Sequence, residues 1–305
     1  MFAHGFADQA GDWHLFGKGK CRRRLLSMTT SPFAAIGPSR PLVLLGCGNM
    51  GKALLGGWLA EGLDRTQLFI LDPALNAGLP ELDIPPERCG STMPADLKAG
   101  ILMLAVKPQI LDQAVGSVRA CVDAQTTLLS VMAGVSIDRM DALLPGHGGI
   151  VRTMPNTPAA IGKGVTGLYA QSQVAALAKD SCEARMRAAG ATVWVETETD
   201  LNAVTAVSGS GPAYIFHMIE CLTDAGIAQG LTADVAETLA IETVHGAGAL
   251  AAGRAASPEQ LRINVTSPGG TTEAGLNVLM RSDVGLQGLI AETVAAARKR
   301  AEDLA

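Results

Sequence analysis

Short apolar runs alternate with helix-like segments along the first part of the chain. The apolar runs lie at 41–45, 68–71, 101–106, 127–131 and 149–153. Their length and continuity are typical of strands that are buried on both faces of a sheet. The segments between them carry apolar residues at helical spacing. The alternation predicts an α/β fold built on a doubly wound parallel sheet.

Strand signals stop near residue 200, and the rest of the chain has a helical pattern. The run 208–212 (Ser-Gly-Ser-Gly-Pro) indicates a break between helices, with Ser210 as a candidate N-cap and Pro212 in the next first turn. Predicted helices cover 201–207, 213–229, 232–252, a segment opened by Ser257, 273–280 and 285–304. We therefore expect an all-α C-terminal region.

The first predicted strand continues into a glycine-rich turn, G-x-G-x-x-G, that opens a predicted helix. The turn consists of Gly46, Cys47, Gly48, Asn49, Met50 and Gly51. Between a strand and a helix, this motif is typical of a dinucleotide site, because its glycines allow a tight turn, a close pyrophosphate and close helix packing. The helix N-terminus adds free N–H groups and a positive dipole. The alternative is a glycine turn that binds no ligand.

An acidic residue, Asp72, ends the second predicted strand, 21 residues after Gly51. A carboxylate at this offset binds the adenosine ribose hydroxyls and repels a 2′-phosphate. No Arg or Lys lies between Asp72 and Arg88. We therefore expect NADPH or NADH as the cofactor, with a preference for NADH. The alternative is that Asp72 caps the turn before Pro73 and that other residues decide the preference.

Two further strand ends carry candidate cofactor contacts. The strand 101–106 leads through Ala105 and Val106 into Lys107 and Pro108, and the strand 149–153 leads into Asn156. Ligands of doubly wound sheets bind at the carboxyl ends of strands. We expect Lys107 to face the cofactor phosphates or ribose and Asn156 to bond the nicotinamide carboxamide. The alternatives are a solvated lysine and a turn asparagine.

A second glycine-containing loop opens a helix in the C-terminal region. Its candidate substrate-binding residues are Ser267, Gly269, Gly270, Thr271 and Thr272. Backbone N–H groups at a helix N-terminus, together with a serine hydroxyl, suit a small carboxylate. The alternative is a plain loop with a helix cap.

Other catalytic groups are scarce in the C-terminal region. No lysine occurs between Lys179 and Lys299, and His217 and His245 lie in predicted helices among apolar or small residues. We expect both histidines to be packed or at the surface. No metal-ligand spacing occurs in the sequence, so no metal is predicted.

Composition limits the remaining possibilities. Hydrophobic residues make up 48% of the 305 residues and charged residues 17%, which supports a sizeable core. A net charge of −5 disfavours a nucleic-acid partner. The longest uncharged stretch, 201–219, is too polar for a membrane span. The six cysteines are scattered without a C-x-x-C pair, which predicts reduced thiols and a cytoplasmic location.

These patterns predict three parts of the chain. Residues 1–39 are expected to form a disordered extension, with Met28 as the favoured natural start. Residues 40–199 are expected to form a Rossmann-type dinucleotide-binding domain. Residues 200–305 are expected to form a helical domain that binds substrate and buries its apolar faces in a homodimer.

Five blocks of the sequence resemble pyrroline-5-carboxylate reductases, in that family's order. They are L-L-G-C-G-N-M-G, A-V-K-P-Q, M-P-N-T-P, S-G-S-G-P-A-Y and N-V-T-S-P-G-G-T-T. The resemblance covers the chain from residue 41 onwards, and its last two blocks are the specific ones. It implies NAD(P)H-dependent reduction of 1-pyrroline-5-carboxylate to L-proline, the last step of proline biosynthesis. It also implies dimers through interlocked C-terminal helices and, in some members, decamers.

The resemblance also implies roles for individual residues. Ser267, Thr271 and Thr272 would hold the substrate carboxylate, and the Thr272 hydroxyl would lie near the ring nitrogen as the catalytic group. Residues 46–51, Asp72, Lys107 and Asn156 would hold the dinucleotide. A related imine or hydroxyacid reductase and a non-catalytic NAD(H) sensor are the alternatives. A purely structural helical dimer would leave the glycine turn unexplained.

Overall fold

The computed structural model describes residues 36–37, 39–75 and 79–304. The predicted start at Met28 and residues 1–35 and 38 of the predicted disordered extension lie outside this description. Among the described residues, Ile36 is only 4% exposed and belongs to the apolar core. Arg40 pairs with Asp123, and its guanidinium also donates to the carbonyl of Ala99 at 2.9 Å. The segment before the first strand is therefore attached to the sheet.

Eight strands form one sheet in the order β3-β2-β1-β4-β5-β6-β7-β8. Their bounds are β1 Leu42–Leu45, β2 Leu68–Leu71, β3 Cys89–Gly90, β4 Ile101–Leu104, β5 Thr127–Ser130, β6 Gly149–Met154, β7 Gly164–Ala170 and β8 Gly190–Trp194. The strands β3 to β6 in this order are parallel to their neighbours. This arrangement confirms the predicted fold class.

The far edge of the sheet departs from the all-parallel expectation. Strand β7 runs antiparallel to β6, with Met154 opposite Gly167, and β8 runs parallel to β7. Neither β7 nor β8 was predicted from the pattern, because their glycines and threonines interrupt the apolar run. The sheet is therefore mostly parallel, with one reversed pair beside the end of β6.

Ten α-helices accompany the sheet within the described chain. Their bounds are α1 Asn49–Ala60, α2 Leu111–Val118, α3 Ile137–Leu143, α4 Ala176–Arg187, α5 Asp200–Val204, α6 Gly211–Ala228, α7 Ala233–Ala252, α8 Pro258–Asn264, α9 Thr271–Leu279 and α10 Leu286–Asp303. The C-terminal helices follow the predicted ones closely. Ser257 caps α8 as predicted, since its hydroxyl accepts the N–H of Gln260.

The apolar core lies on both faces of the sheet. In β1, Leu42 and Leu44 belong to the cluster that includes Trp58 of α1, whereas Val43 and Leu45 belong to the cluster that includes α2 and α3 residues. The Trp58 indole is fully buried and donates to the carbonyl of Arg185 in α4 at 2.8 Å. Burial on two faces explains the continuous apolar runs.

The predicted break at 208–212 lies at Ser210, which belongs to neither neighbouring helical segment and directly precedes α6. Residues Thr205–Gly209 form a π-turn that joins α5 to α6, closed by the N–H of Ser210 donating to the carbonyl of Thr205 at 2.8 Å. Ser210 occupies the N-cap position of α6, but its side chain makes no capping hydrogen bond. Pro212 does lie in the first turn, as predicted. The π-turn packs on the sheet, because a Cβ at Gly209 would come within 2.6 Å of Met154 Cε.

The helical region leaves many large apolar side chains exposed. Phe216 on α6, Leu239 on α7 and Leu289 on α10 are 59%, 53% and 61% exposed. The sheet strands β1, β2, β4 and β5 are, by contrast, buried throughout. No helix in the described part of the chain is long and apolar enough to cross a membrane.

Candidate active site

The glycine turn at the end of β1 is held by close backbone contacts. Gly46 has φ +88°, and a Cβ there would lie 2.8 Å from Val106 Cγ1 and 3.0 Å from the carbonyl oxygen of Ala105. A Cβ at Gly51 would lie 2.7 Å from the carbonyl oxygen of Gly46. The first and third glycines of the motif are therefore required by the turn and by helix packing.

The second glycine has a different environment. Gly48 is the N-cap of α1, and a Cβ there would meet no atom within 4 Å. The first turn of α1, which begins with Asn49 and Met50, contains no acidic residue. An open glycine before a helix N-terminus without acidic side chains fits a dinucleotide pyrophosphate.

Asp72 lies beside this turn and is held by two backbone groups. Its Oδ2 accepts the N–H of Cys47 at 2.8 Å, and its Oδ1 accepts the N–H of Ala74 at 2.9 Å. The second bond is the turn cap that was the alternative interpretation. The first bond also attaches the carboxylate to the glycine turn, so Asp72 both caps the turn before Pro73 and supports the glycine turn.

A cavity of about 360 Å³ lies next to Asp72 between the strand ends and α2. The described residues that line it include no lysine or arginine. They are Leu45, Gly46, Leu71, Asp72, Pro73, Ser91, Val106, Ile110, Gln113, Ala114 and Ser117. Its position beside an acidic side chain at the end of β2 suits an adenosine ribose.

The end of β4 forms one side of the same cleft. Ala105 donates its N–H to the carbonyl of Leu45 at 2.9 Å. Ala105 and Val106 are half-buried, whereas Lys107 is exposed and precedes a single 3₁₀ turn that Pro108 begins. The structure therefore places the lysine at the accessible edge of the cleft, where its predicted role in phosphate or ribose binding stays a prediction.

Asn156 is 9% exposed, and its side-chain amide is bonded to the protein on both sides. Its Oδ1 accepts the N–H of Val165 in β7 at 2.9 Å, and its Nδ2 donates to the carbonyl of Ser208 in the π-turn at 3.1 Å. The predicted contact with the nicotinamide carboxamide stays a prediction. The structure adds a second role, in which the residue joins the sheet to the helical region.

A mostly apolar cavity of about 490 Å³ lies where this loop meets the helices. Asn156 and Pro158 form one side, and residues of the π-turn, α6 and α10 form the other. The helical residues are Val207, Ser208, Gly211, Pro212, Tyr214, Ile215, Phe216, Ile290 and Val294. The sequence pattern indicated only a helix break at 208–212, so these lining residues were missed. Tyr214, beside the polar 208–212 run, was the available signal.

A further cavity of about 530 Å³ lies beside the first turn of α1. It is lined by Asn49, Met50, Lys52, Ala53, Thr157 and Ala160. The loop after β6 therefore faces the glycine-turn helix on one side and α6 on the other. The 490 Å³ and 530 Å³ cavities therefore lie on either side of this loop.

The loop before α9 is followed by an acidic side chain, Glu273, in the first turn of that helix, and the predicted binding of a substrate carboxylate here stays a prediction. Gly269 adopts φ +72°, and its N–H donates to Glu273 Oε2 at 2.7 Å, which holds the loop against the helix. Thr271 and Thr272 are the first two residues of α9. Ser267, Thr271 and Thr272 are exposed. Among the described residues, the hydrogen bonds of this loop all lie within residues 262–274. None of them connects the loop to the glycine turn of the same chain.

The two histidines of the helical region are at the surface. His217 and His245 are 75% and 77% exposed, and each lies beside a glutamate of its own helix, Glu220 at 2.9 Å and Glu242 at 3.5 Å. Neither lines the three cavities described above.

Comparison with known proteins gives a consistent family. Residues 198–304 match the family model described as pyrroline-5-carboxylate reductase dimerisation. The chain is 34% identical over 269 residues to the pyrroline-5-carboxylate reductase of Pseudomonas aeruginosa, which covers 87% of this chain and 96% of that relative. It is also similar to the solved structure of the pyrroline-5-carboxylate reductase of Coxiella burnetii, with a TM-score of 0.80, 33% identity and coverage of 88% and 99% of the two chains.

A second solved relative contains a cofactor. The Plasmodium falciparum pyrroline carboxylate reductase, solved with NADP bound, has a TM-score of 0.72 and 25% identity, with coverage of 88% of this chain and 98% of that chain. The identity over nearly the whole length, the match of the helical region to the family's own domain and the geometry of the glycine turn agree. This chain belongs to the pyrroline-5-carboxylate reductase family.

Proposed function

We propose that this protein reduces 1-pyrroline-5-carboxylate to L-proline with a reduced nicotinamide cofactor. The observation that carries the proposal is the glycine turn at the end of β1, where the open Gly48 begins a helix with no acidic residue in its first turn. The glycine turn suits a pyrophosphate, and the helical region of the same chain contains a loop at 267–272 that suits a small carboxylate.

The substrate carboxylate is held by the loop before α9. The N–H groups of Thr271 and Thr272 lie at the positive end of α9, and the Ser267 hydroxyl adds a donor. Three donors without an arginine suit a compact anion. Carboxylate binding at this loop orients the substrate ring so that one face of its C=N bond meets the cofactor.

When bound, the reduced nicotinamide supplies a hydride to the imine carbon. The chain's own residues mainly orient the two reactants, because a protonated imine is already a good electrophile. The Thr272 hydroxyl either accepts a hydrogen bond from the ring nitrogen once that nitrogen is protonated, or it donates a proton to the unprotonated nitrogen and takes one from water in return. No lysine or histidine acid is required, which agrees with the surface positions of His217 and His245.

The preferred cofactor is NADH. The Asp72 carboxylate lies at the end of β2, where it would accept the ribose hydroxyls, and the described lining of its cavity contains no cation for a 2′-phosphate. Repulsion between two anions in a cleft disfavours NADPH.

The functional unit is a homodimer. The exposed apolar side chains of α6, α7 and α10 are more extensive than a monomer normally exposes, and they lie in the region that matches the family's dimerisation domain. Since the loop at 267–272 makes no hydrogen bond to the glycine turn within the described chain, dimerisation is also the means by which the active site is completed.

The compartment is the cytoplasm. Cys89, Cys121, Cys182 and Cys221 are free thiols, and the first three of them are buried, which fits a reducing environment.

The test is the loss of absorbance at 340 nm after pyrroline-5-carboxylate is added, with NADH and NADPH in parallel. Rapid oxidation, faster with NADH, supports both the reaction and the preference. Cofactor binding without oxidation would refute the reaction. A panel of other cyclic imines and hydroxy acids would then separate a related reductase from a sensor that binds NAD(H) without turnover.

A further inference from the structure

A proline in the helical region leaves one carbonyl without its helical donor. In an α-helix, the carbonyl of Ser208 would accept the N–H of residue 212, but residue 212 is proline and has no N–H. The next candidate donor, the N–H of Ala213, bonds the carbonyl of Ser210 at 3.0 Å instead. The Ser208 carbonyl therefore needs a donor from outside its own helix.

Asn156 supplies that donor from the loop at the carboxyl end of β6. Its Nδ2 lies 3.1 Å from the Ser208 oxygen, although the two residues are 52 positions apart in the sequence. Its Oδ1 accepts the N–H of Val165 at 2.9 Å, beyond the last β6–β7 pair of Met154 and Gly167. The orientation of the amide is fixed, since Val165 offers a donor and Ser208 an acceptor.

We propose that Asn156 is a positioning residue that holds the π-turn at a fixed distance from the cofactor-binding edge of the sheet. The π-turn and Asn156 form facing sides of the 490 Å³ cavity. A shift of the π-turn would widen or narrow this cavity and displace a substrate from the hydride donor. The inference rests on the proposed reductase function, since turnover reports the displacement.

The positioning role predicts a particular kinetic pattern. In Asn156→Asp, one oxygen still accepts the Val165 N–H, but the other faces the Ser208 carbonyl and repels it. Misplacement of reactants lowers kcat, by about tenfold or more. The KM for the cofactor changes by less than about threefold, because the glycine turn and Asp72 bind the other end of the cofactor.

The decisive control is rescue at a second position. Pro212→Ala adds an N–H that can donate to the Ser208 carbonyl, so it replaces the donor that Asn156→Asp removes and offsets part of the repulsion from the new carboxylate oxygen. We expect Asn156→Asp combined with Pro212→Ala to recover kcat at least about threefold relative to Asn156→Asp alone. Pro212→Ala by itself should not raise kcat, since the carbonyl already has its donor.

Other outcomes refute the proposal. A large rise in cofactor KM without rescue would mean that Asn156 acts by direct contact with the cofactor. A fall in melting temperature with unchanged kcat would mean a purely structural role. If Asn156→Asp does not fold, Asn156→Ser, which loses the reach but adds no charge, is carried through the same cycle.

A separate readout distinguishes this proposal from the proposed function. Amide hydrogen exchange of residues 205–213 needs no substrate, and it should accelerate in the Asn156 variants and slow again when Pro212→Ala is added. A wild-type protein that does not reduce pyrroline-5-carboxylate would refute the reductase function. If exchange of residues 205–213 is unchanged in both Asn156→Asp and Asn156→Ser, the Asn156–Ser208 link is refuted, even if the protein reduces pyrroline-5-carboxylate.

Discussion

The carboxylate of Asp72 accepts the backbone N–H of Cys47 at 2.8 Å, so the acidic residue at the end of β2 is part of the glycine turn itself. A second bond from the N–H of Ala74 leaves the side chain little freedom to turn away from the cleft. The negative charge is thus fixed beside the 360 Å³ cavity. The same two bonds mean that Asp72 supports the fold of the turn in addition to its proposed role in the choice of cofactor.

Replacement of Asp72 should separate these two contributions. We expect Asp72→Ala to raise the NADPH/NADH ratio of kcat/KM, because repulsion of the 2′-phosphate is removed. The loss of two hydrogen bonds should also lower the unfolding free energy by about 1–3 kcal/mol. Asp72→Asn is the matched control, since it removes the charge but keeps an acceptor. A ratio that is unchanged in both variants would mean that Asp72 does not face the ribose.

The glycines of the turn should respond differently to the same added methyl group. In Gly51→Ala, the new Cβ would lie 2.7 Å from the Gly46 carbonyl oxygen, so we expect a loss of about 1–3 kcal/mol of unfolding free energy. In Gly48→Ala, the Cβ meets no atom within 4 Å. Stability should be nearly unchanged there, while the cofactor dissociation constant rises about tenfold or more because the methyl occupies the pyrophosphate's place.

Thermal melts and cofactor titrations of the two variants test this contrast. A Gly48→Ala protein that binds the cofactor as tightly as the wild type would remove the open glycine from the cofactor site.

The Thr272 hydroxyl should matter for catalysis and little for folding. Thr272 is exposed in the first turn of α9, and its side chain makes no described hydrogen bond. We expect Thr272→Ala to lower kcat/KM by more than about tenfold, because the carboxylate and ring-nitrogen contacts converge there. Thr272→Ser, which keeps the hydroxyl, should retain most of the activity. Unchanged kinetics in Thr272→Ala would exclude this residue from the site.

The exposed apolar face of the helical region should control self-association. Phe216 on α6 is 59% exposed, and we expect Phe216→Asp to shift the protein from dimer towards monomer, because a charge in an apolar interface loses its hydration. Val193 on the edge strand β8 is 48% exposed and serves as the control site. Sedimentation velocity at several concentrations measures the effect. Equal association states for Phe216→Asp, Val193→Asp and the wild type would contradict this interface.

The ion pair between Arg40, just before β1, and Asp123, just before β5, should make the unfolding free energy depend on pH in the acid range. Hydrogen bonding from Arg40 lowers the pKa of Asp123 from its ordinary 3.8 to about 2. A lowered folded-state pKa gives stability that is complete above about pH 4 and is lost as the pH falls towards 2. Asp123→Asn should therefore cost about 1 kcal/mol at pH 7 and reduce the slope of stability between pH 4 and 2.

Urea denaturation at a series of pH values measures this slope. The control is Asp112→Asn, which breaks a more exposed pair with Arg139 at 2.9 Å and should have a smaller effect at every pH. An unchanged slope in Asp123→Asn would show that the pair does not contribute to the acid dependence.

Local sequence signals predicted those parts of the molecule that local physics determines. The strand 42–45, the glycine turn and α1 follow from a buried apolar run, three glycines and helical spacing over fewer than twenty residues. The start of α8 follows from Ser257, whose hydroxyl caps its own helix. In such segments, the residues that determine the structure are neighbours in the chain.

The features that escaped prediction depend on distant partners. Strands β7 and β8 contain glycine and threonine where a buried run would have apolar residues. They are stabilised instead by the pairing of β7 with β6 and of β8 with β7, and by contacts of both strands with α4. The run 208–212 contains the predicted helix boundary at Ser210, but the π-turn before it depends on packing on Met154 and on the amide of Asn156. The link that Asn156 makes between Val165 and Ser208 could not be inferred from its position between prolines.

The reversed pairing of β6 and β7 has a consequence for motion in the enzyme. In most parallel sheets, the loop at a strand's carboxyl end leads into a separate crossover helix and can move with it. Here the loop that contains Asn156 passes through one short 3₁₀ helix, Thr157–Ile161, into the adjacent strand, and Asn156 bonds that strand at Val165. Because both ends of this loop and the Asn156 side chain are bonded to other parts of the fold, we expect it to move less than the helices. We therefore expect closure over bound reactants to come from movement of the helices, with this loop as the fixed side of the site.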